Sequence, residues 1–360
     1  MGPAYRRVLR PVLFSAYGGD PERVHEATLK AIAALGRIRP ARAAVAALCT
    51  GRQRPVTMAG IEFPGVVGLA AGMDKDGVAV RAWSALGFGH VELGTVTAHP
   101  QPGNERPRLF RLPRSRALIN RMGFNNLGAA ALAERLAASG VARGNRAVGI
   151  PVGVSIGKTK TTPLAAAAED YLTSLRLLAP YADYVAVNVS SPNTAGLRSL
   201  QDADALRELI VALVAEARRI AAHGTGLPIL VKLAPDLTDG ALEQALEVCE
   251  AAGAAGLVAT NTTLARDLVH PDEQDRATEA GGLSGAPLSD RAKAVVTFLA
   301  KRTELPIIAV GGIMTRDDGQ AMLDAGARLL QVYTGYVYAG PALVTALNRL
   351  APRPHREPRR

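Results

Sequence analysis

Seven polar clusters follow short apolar runs in this 360-residue chain. They are Ala71-Gly72-Met73-Asp74-Lys75-Asp76-Gly77, Gly94-Thr95, Ser155-Ile156-Gly157-Lys158, Asn188-Val189-Ser190-Ser191-Pro192-Asn193-Thr194, Lys232, Thr260-Asn261-Thr262 and Gly311-Gly312. Each alone has a plain structural use, because Asn and Thr cap helices, Gly and Pro make turns and a lone Lys is usually solvated. Together they supply amides, hydroxyls and lysines suited to a planar anion rich in acceptors and to a polar ring system. Glycines near Gly312, ahead of a helix that begins near Arg316, offer backbone N–H groups for a phosphate, and Gly281-Gly282-Leu283-Ser284-Gly285 can add to that cradle. Hydrolysis is poorly equipped: there is no Asp/Glu pair suited to glycosides and no HExxH zinc motif. Cys49 and Cys249 have no CxxC or Cys/His cluster around them, so neither a disulfide framework nor a metal site is expected.

Such clusters act together only if the fold gathers them. From residue 60 onward, apolar runs alternate with Ala/Leu-rich stretches of helical period. Strands are predicted at 66–71, 90–95, 151–156, 184–189, 229–233, 257–261, 307–310 and 329–333, and helices at 77–86, 126–139, 166–179, 203–222, 239–252, 288–301, 316–325 and 341–350. Eight strand–helix units without a linker argue for a (β/α)8 TIM barrel over 51–350, with a doubly wound parallel sheet as the alternative. In a barrel all seven clusters fall at one mouth, where active sites form.

The net charge of +10 comes from the ends: residues 1–54 carry ten Lys/Arg against three Asp/Glu, and 351–360 four Arg against one Glu. The remainder is neutral, and 15 aromatic residues without interleaved basic stretches give no nucleic-acid groove. Residues 1–50 show apolar positions at helical spacing beside Arg6, Arg7 and Arg10, predicting a small helical extension. It serves either as a cap on the barrel or as an interfacial segment on anionic lipid. No window predicts a membrane span, and residues 351–360 read as a disordered basic tail.

The motifs carry a family resemblance. The runs 70–77, Gly94-Thr95-Val96-Thr97, Asn120-Arg121-Met122-Gly123-Phe124-Asn125-Asn126 and 188–194 resemble dihydroorotate dehydrogenase. Lys232-Leu233-Ala234-Pro235-Asp236, Ala259-Thr260-Asn261-Thr262-Thr263, Gly281–Gly285 and Val310-Gly311-Gly312-Ile313 continue the match in order, from about residue 5 to 350. Ser191 stands where the soluble class has cysteine, and the N-terminal extension is similar to that of the membrane-associated, quinone-reducing class 2.

The resemblance implies oxidation of dihydroorotate to orotate through FMN, with a membrane quinone as acceptor, in pyrimidine biosynthesis. It implies that Ser191 takes a proton from C5, with Thr194 and Phe124 beside the proton relay. Lys75, Asn120, Arg121, Met122, Gly123, Phe124, Asn188, Asn193, Asn261 and Thr262 are implied around the substrate. Ala71, Gly72, Met73, Asp74, Lys75, Thr95, Ser155, Asn188, Lys232, Thr260, Gly285, Gly312, Tyr333 and Thr334 are implied around the flavin. Ser155 departs from the family pattern, which has asparagine there. His25 and Arg111 are implied to line a quinone tunnel beneath the N-terminal helices. The implied setting is peripheral, on the cytoplasmic side of the cell membrane, for a chain compatible with a monomer. Two other classes fit the residues alone: a phosphate-binding barrel without catalysis, and an FMN barrel using NAD(P)H.

Overall fold

The computed structural model describes residues 2–51, 53–194, 196–220 and 226–352. Eight strands close into a parallel barrel: β3 (Val67–Leu69), β4 (His90–Val96), β7 (Val152–Ile156), β8 (Tyr184–Asn188), β9 (Ile229–Leu233), β10 (Gly256–Ala259), β12 (Ile307–Val310) and β13 (Leu329–Val332). Each pairs with the next in this order, and β13 returns to β3 through Leu330↔Val67. Every residue of these strands is buried, as expected when helices cover the outer face and packed side chains fill the interior. The doubly wound alternative is excluded by that closure.

Glycines make room inside the barrel. A Cβ at Gly68 would enter the His90 ring, and one at Gly153 would enter the Tyr184 ring. Below them Phe63 packs edge-on to His90 with centroids 5.2 Å apart. It belongs to a hairpin, β1 (Val56–Met58) and β2 (Ile61–Phe63), turned by Ala59 and Gly60 at φ 49° and 75°. The hairpin thus plugs the barrel floor.

Long insertions shape the opposite end. The chain after β4 makes β5 (Leu109–Leu112) and β6 (Ala117–Asn120), and the chain after β10 supplies β11 (Gly282–Gly285). They form a separate antiparallel sheet ordered β11-β6-β5. Gly281–Gly285, expected as a phosphate cradle, is largely strand β11. Its glycines permit close approach, since a Cβ at Gly282 would overlap the Thr262 hydroxyl.

One predicted helix is absent. Residues 77–86 form turns ending in a single 3-10 turn, Ser84–Leu86: Gly77 has φ 67°, and the backbone closes three-residue turns, Val80 N donating to Gly77 O and Ala82 N to Ala79 O, around Asp74. Its fully buried carboxylate accepts from Val78 N at 2.8 Å, Ala79 N at 3.0 Å and Trp83 Nε1 at 2.9 Å. The other predicted helices are present within a few residues, although the expected end of 203–222 lies outside the described residues. Residues 353–360 of the expected basic tail lie outside them too.

The N-terminal segment is helical, as its spacing predicts. A short helical run over residues 2–15 leads into Pro21–Arg37 and Arg39–Cys49. Asp20 caps the former by accepting from the N–H groups of Glu22 and Arg23. That helix is tied down by a buried ion pair, Glu22 to Arg108, at 2.8 Å.

Candidate active site

The strand ends do converge. A cavity at the C-terminal mouth is lined by Ala71, Gly72 and Lys75 after β3, Thr95 on β4, Asn188 and Ser191 at β8, Lys232 on β9, and Thr260, Asn261 and Thr262 after β10. Gly285, Gly312, Tyr333 and Thr334 line it on the β11, β12 and β13 side, and Asn120, Met122, Gly123, Phe124 and Asn193 roof it.

The amides are pre-oriented by one another. Asn188 Nδ2 donates to Thr95 Oγ1 at 2.8 Å, while Asn188 Oδ1 accepts from Asn261 Nδ2 at 3.2 Å and from Ser190. Asn193 Nδ2 donates to Asn120 Oδ1 at 3.1 Å, and Asn193 N donates to Ser191 Oγ at 3.3 Å. Spare donors and acceptors of four asparagines therefore face one space, and little is left to rotate when a polar ring arrives.

Two cations serve different ends of this space. The Lys75 ammonium has no hydrogen-bond or ion-pair partner among the described residues, and desolvation pushes it down to about 8, with Asp76 opposing the effect and Arg108 adding to it. An unpaired ammonium in such a place is a receptor for an anion. Lys232 instead rests on the carboxylate of Glu92, 3.7 Å below it inside the barrel.

Several expected contacts sit elsewhere. Met73 lines a second cavity, Asp74 braces the Lys75 loop, and the Arg121 side chain turns away to Glu279 at 2.6 Å over the Phe110 ring. Ser155 is fully buried behind Thr95, its Oγ 2.9 Å from Thr95 Oγ1, so it acts on the cavity through that hydroxyl. Gly153–Gly157 spells GxSxG, yet Ser155 lies within strand β7 and not at a strand-to-helix elbow. Thr194 does not line the cavity, and its buried Oγ1 has no hydrogen-bond partner among the described residues.

Gln331 and Ser284 line the cavity and were not singled out from sequence. A glutamine in the apolar run Leu329–Val332 is the signal that could have found the first. Its Nε2 donates to Glu92 Oε2 at 2.8 Å, and its Oε1 is buried without a partner.

The second cavity lies under the N-terminal helices, lined by Phe14, His25, Leu29, Ile32 and Arg111 among others. Leu109, Leu118 and Tyr333 line both cavities and form the partition between them. Burial pushes His25 down to about 4, with Lys75 contributing, so its imidazole is neutral near pH 7. Arg111 is committed to the helix above it: it donates to the carbonyls of Phe14 and Gly19 and stacks on the Phe14 ring at 4.4 Å.

A flavin suits the first cavity. Apolar Leu288, Val310, Ile313 and Val332 offer flat walls, Lys232 and the orphaned Gln331 oxygen offer polar edges, and the glycines at 311, 312 and 335 leave backbone bare. The fold and this lining define the class, a TIM-barrel oxidoreductase whose site lies at the strand ends.

Comparison with known proteins gives the particular family. The chain belongs to the dihydroorotate dehydrogenase family, whose model matches residues 54–351. It is 57% identical over 352 residues to the dihydroorotate dehydrogenase (quinone) of Salinispora arenicola, covering 97% of this chain and 99% of the relative. It is 56% identical to that of Chloroflexus aurantiacus, covering 96% and 95%. The crystal structure of Eimeria tenella DHODH in complex with ferulenol superposes with a TM-score of 0.83 at 34% identity, covering 95% and 93%. The family is flavin-dependent, and its quinone class is membrane-associated. Among the described residues no helix is long and apolar enough to cross a membrane.

Proposed function

We propose that this chain is a quinone-dependent dihydroorotate dehydrogenase that uses FMN and works at a membrane surface. The observation that carries this reading is the unpaired Lys75 ammonium facing a ring of four asparagines, with Ser191 in the same cavity. Lys75 takes the substrate carboxylate, and Asn120, Asn188, Asn193 and Asn261 take the ring amides, whose alternating donors and acceptors match theirs. When bound, FMN would supply the two-electron chemistry, as hydride acceptor for C6 of the substrate and electron donor to quinone. Lys232 and Gln331 would hold its polar edge, and Gly312 and Thr334 its phosphate end.

Ser191 removes the C5 proton. A serine hydroxyl is a very weak acid, so it serves as base only if its own proton moves on as the new one arrives. The main-chain N–H of Asn193 already donates to Ser191 Oγ, which fixes the lone pairs and leaves the hydroxyl proton free to leave. Thr194 Oγ1, buried without a partner, supports a role as the next acceptor.

The quinone approaches through the second cavity. The first helical run keeps Val8, Leu9 and Val12 exposed to insert among lipids, with Arg6 and Arg7 beside them. Arg10 is used differently, since its Nη1 donates to the Tyr338 carbonyl and pins the run to the barrel.

The test is anaerobic bleaching of the flavin by dihydroorotate, then recolouring by quinone. Ser191→Ala slows bleaching by at least about 100-fold and leaves recolouring intact. Unchanged bleaching in that variant removes Ser191 from its role, and a flavin that ignores dihydroorotate but bleaches with NAD(P)H replaces the reading itself.

A further inference from the structure

We propose that Asn104 is the positioning residue that holds the serine-bearing segment closed over the substrate, braced from the N-terminal helix by the Glu22–Arg108 pair. The inference rests on the assignment of the cavity to dihydroorotate.

Asn104 does not line the cavity, yet every polar atom of its side chain is used. One proton of Nδ2 goes to the Arg121 carbonyl at 3.0 Å and the other to the Asn193 carbonyl at 3.2 Å. Oδ1 accepts from Lys160 Nζ at 3.1 Å, which fixes the amide's orientation. Asn104 therefore bridges two segments that both roof the cavity: the turn after β6, and the segment after β8 that carries Ser191. Asn193 completes the connection, because it donates from its N–H to Ser191 Oγ and from its side chain to Asn120.

The seat of Asn104 is built for close contact. Gly123 has φ +69°, and a Cβ there would stand 2.6 Å from the Asn104 amide carbon. Behind it, Arg108 Nη1 donates to the carbonyls of both Asn104 and Pro102 at 2.7 Å. The rest of that guanidinium is spent on Glu22, with Nε and Nη2 reaching Oε1 at 3.1 and 2.8 Å. Glu22 and Arg108 are 5% and 6% exposed, so the guanidinium depends on this carboxylate, which Arg106 also reaches at 2.9 Å from the surface side. A continuous polar chain thus runs from the helix over the acceptor cavity to the segment over the substrate.

The test uses the full-length, flavin-loaded protein, with orotate affinity read from the perturbed flavin spectrum. Asn104→Asp keeps the shape but sets a carboxylate against two carbonyls, and Asn104→Ser removes the amide without adding charge. Both weaken orotate binding by about tenfold, the scale of one or two lost hydrogen bonds, and speed amide hydrogen exchange at residues 190–194. Recolouring by quinone is unchanged. Glu22→Gln moves both readouts the same way, and its combination with Asn104→Asp gives less than the sum.

A purely structural asparagine would lower the melting temperature and leave both readouts at 25 °C alone. Orotate affinity and exchange within twofold of the parent in both Asn104 variants overturn the proposal, and additive effects with Glu22→Gln remove the helix from it. If Ser191→Ala bleaches normally while Asn104→Asp still loosens orotate, the serine's role falls and the positioning role stands.

Discussion

Lys232 Nζ and Glu92 Oε1 stand 3.7 Å apart inside the barrel, on strands β9 and β4, and both side chains are buried. The other Glu92 oxygen accepts from Gln331 Nε2 at 2.8 Å and from the Tyr184 hydroxyl at 3.2 Å. Burial, with Glu92 adding to it, holds the Tyr184 phenol protonated far above its ordinary range, so that it remains a donor. The cation that faces the cavity is therefore anchored by a layer of polar groups drawn from four strands.

Removing one member of this pair leaves an uncompensated charge in the interior. Lys232→Met should destabilise the flavin-free protein by about 3–5 kcal/mol in denaturant unfolding, and the double variant with Glu92→Gln should recover most of that loss. A Lys232→Met protein as stable as its parent would mean that Gln331 and Tyr184 alone satisfy the carboxylate.

Lys75 gives the site its pH dependence. Its ammonium is held down to about 8 by desolvation, so the cation proposed to receive the substrate carboxylate is present below that pH and lost above it. Orotate affinity should be level from pH 6 to about 7.5 and fall as pH rises past about 8. Lys75→Met should weaken binding by roughly 10- to 100-fold, the scale of a charge-assisted hydrogen bond, and flatten the profile. A fall of the same size and midpoint in the variant would assign the titration to another group.

The barrel strands were legible because burial on both faces forces near-continuous apolar runs, and each such run ends in residues that must face the mouth. The hairpin over 56–63 was not, since its turn is Ala59-Gly60 and lacks the Asn or Asp that usually marks positive φ. The false helix at 77–86 has a local cause invisible to periodicity: the backbone closes three-residue turns, Val80 N to Gly77 O and Ala82 N to Ala79 O, around the Asp74 carboxylate, which also takes the Trp83 indole. Site residues at strand ends could be read by position. Asn104 could not, because its side-chain partners Arg121, Lys160 and Asn193 arrive from separate segments.

His25 lies on the acceptor side of the proposed reaction. It lies on the helix Pro21–Arg37 and lines the cavity beyond the Leu109, Leu118 and Tyr333 partition, away from Ser191. Held neutral above about pH 4, its imidazole offers one donor and one acceptor in an otherwise apolar lining, which suits a quinone carbonyl. His25→Phe keeps the bulk and removes both, so quinone-driven recolouring should slow by about 2- to 10-fold while bleaching by dihydroorotate is unchanged. Because His25 stays neutral between pH 5 and 9, the recolouring rate in the parent should show no titration at the ordinary histidine value near 6.5. Equal slowing of both half-reactions in the variant would place the effect of His25 on the barrel and not on the acceptor.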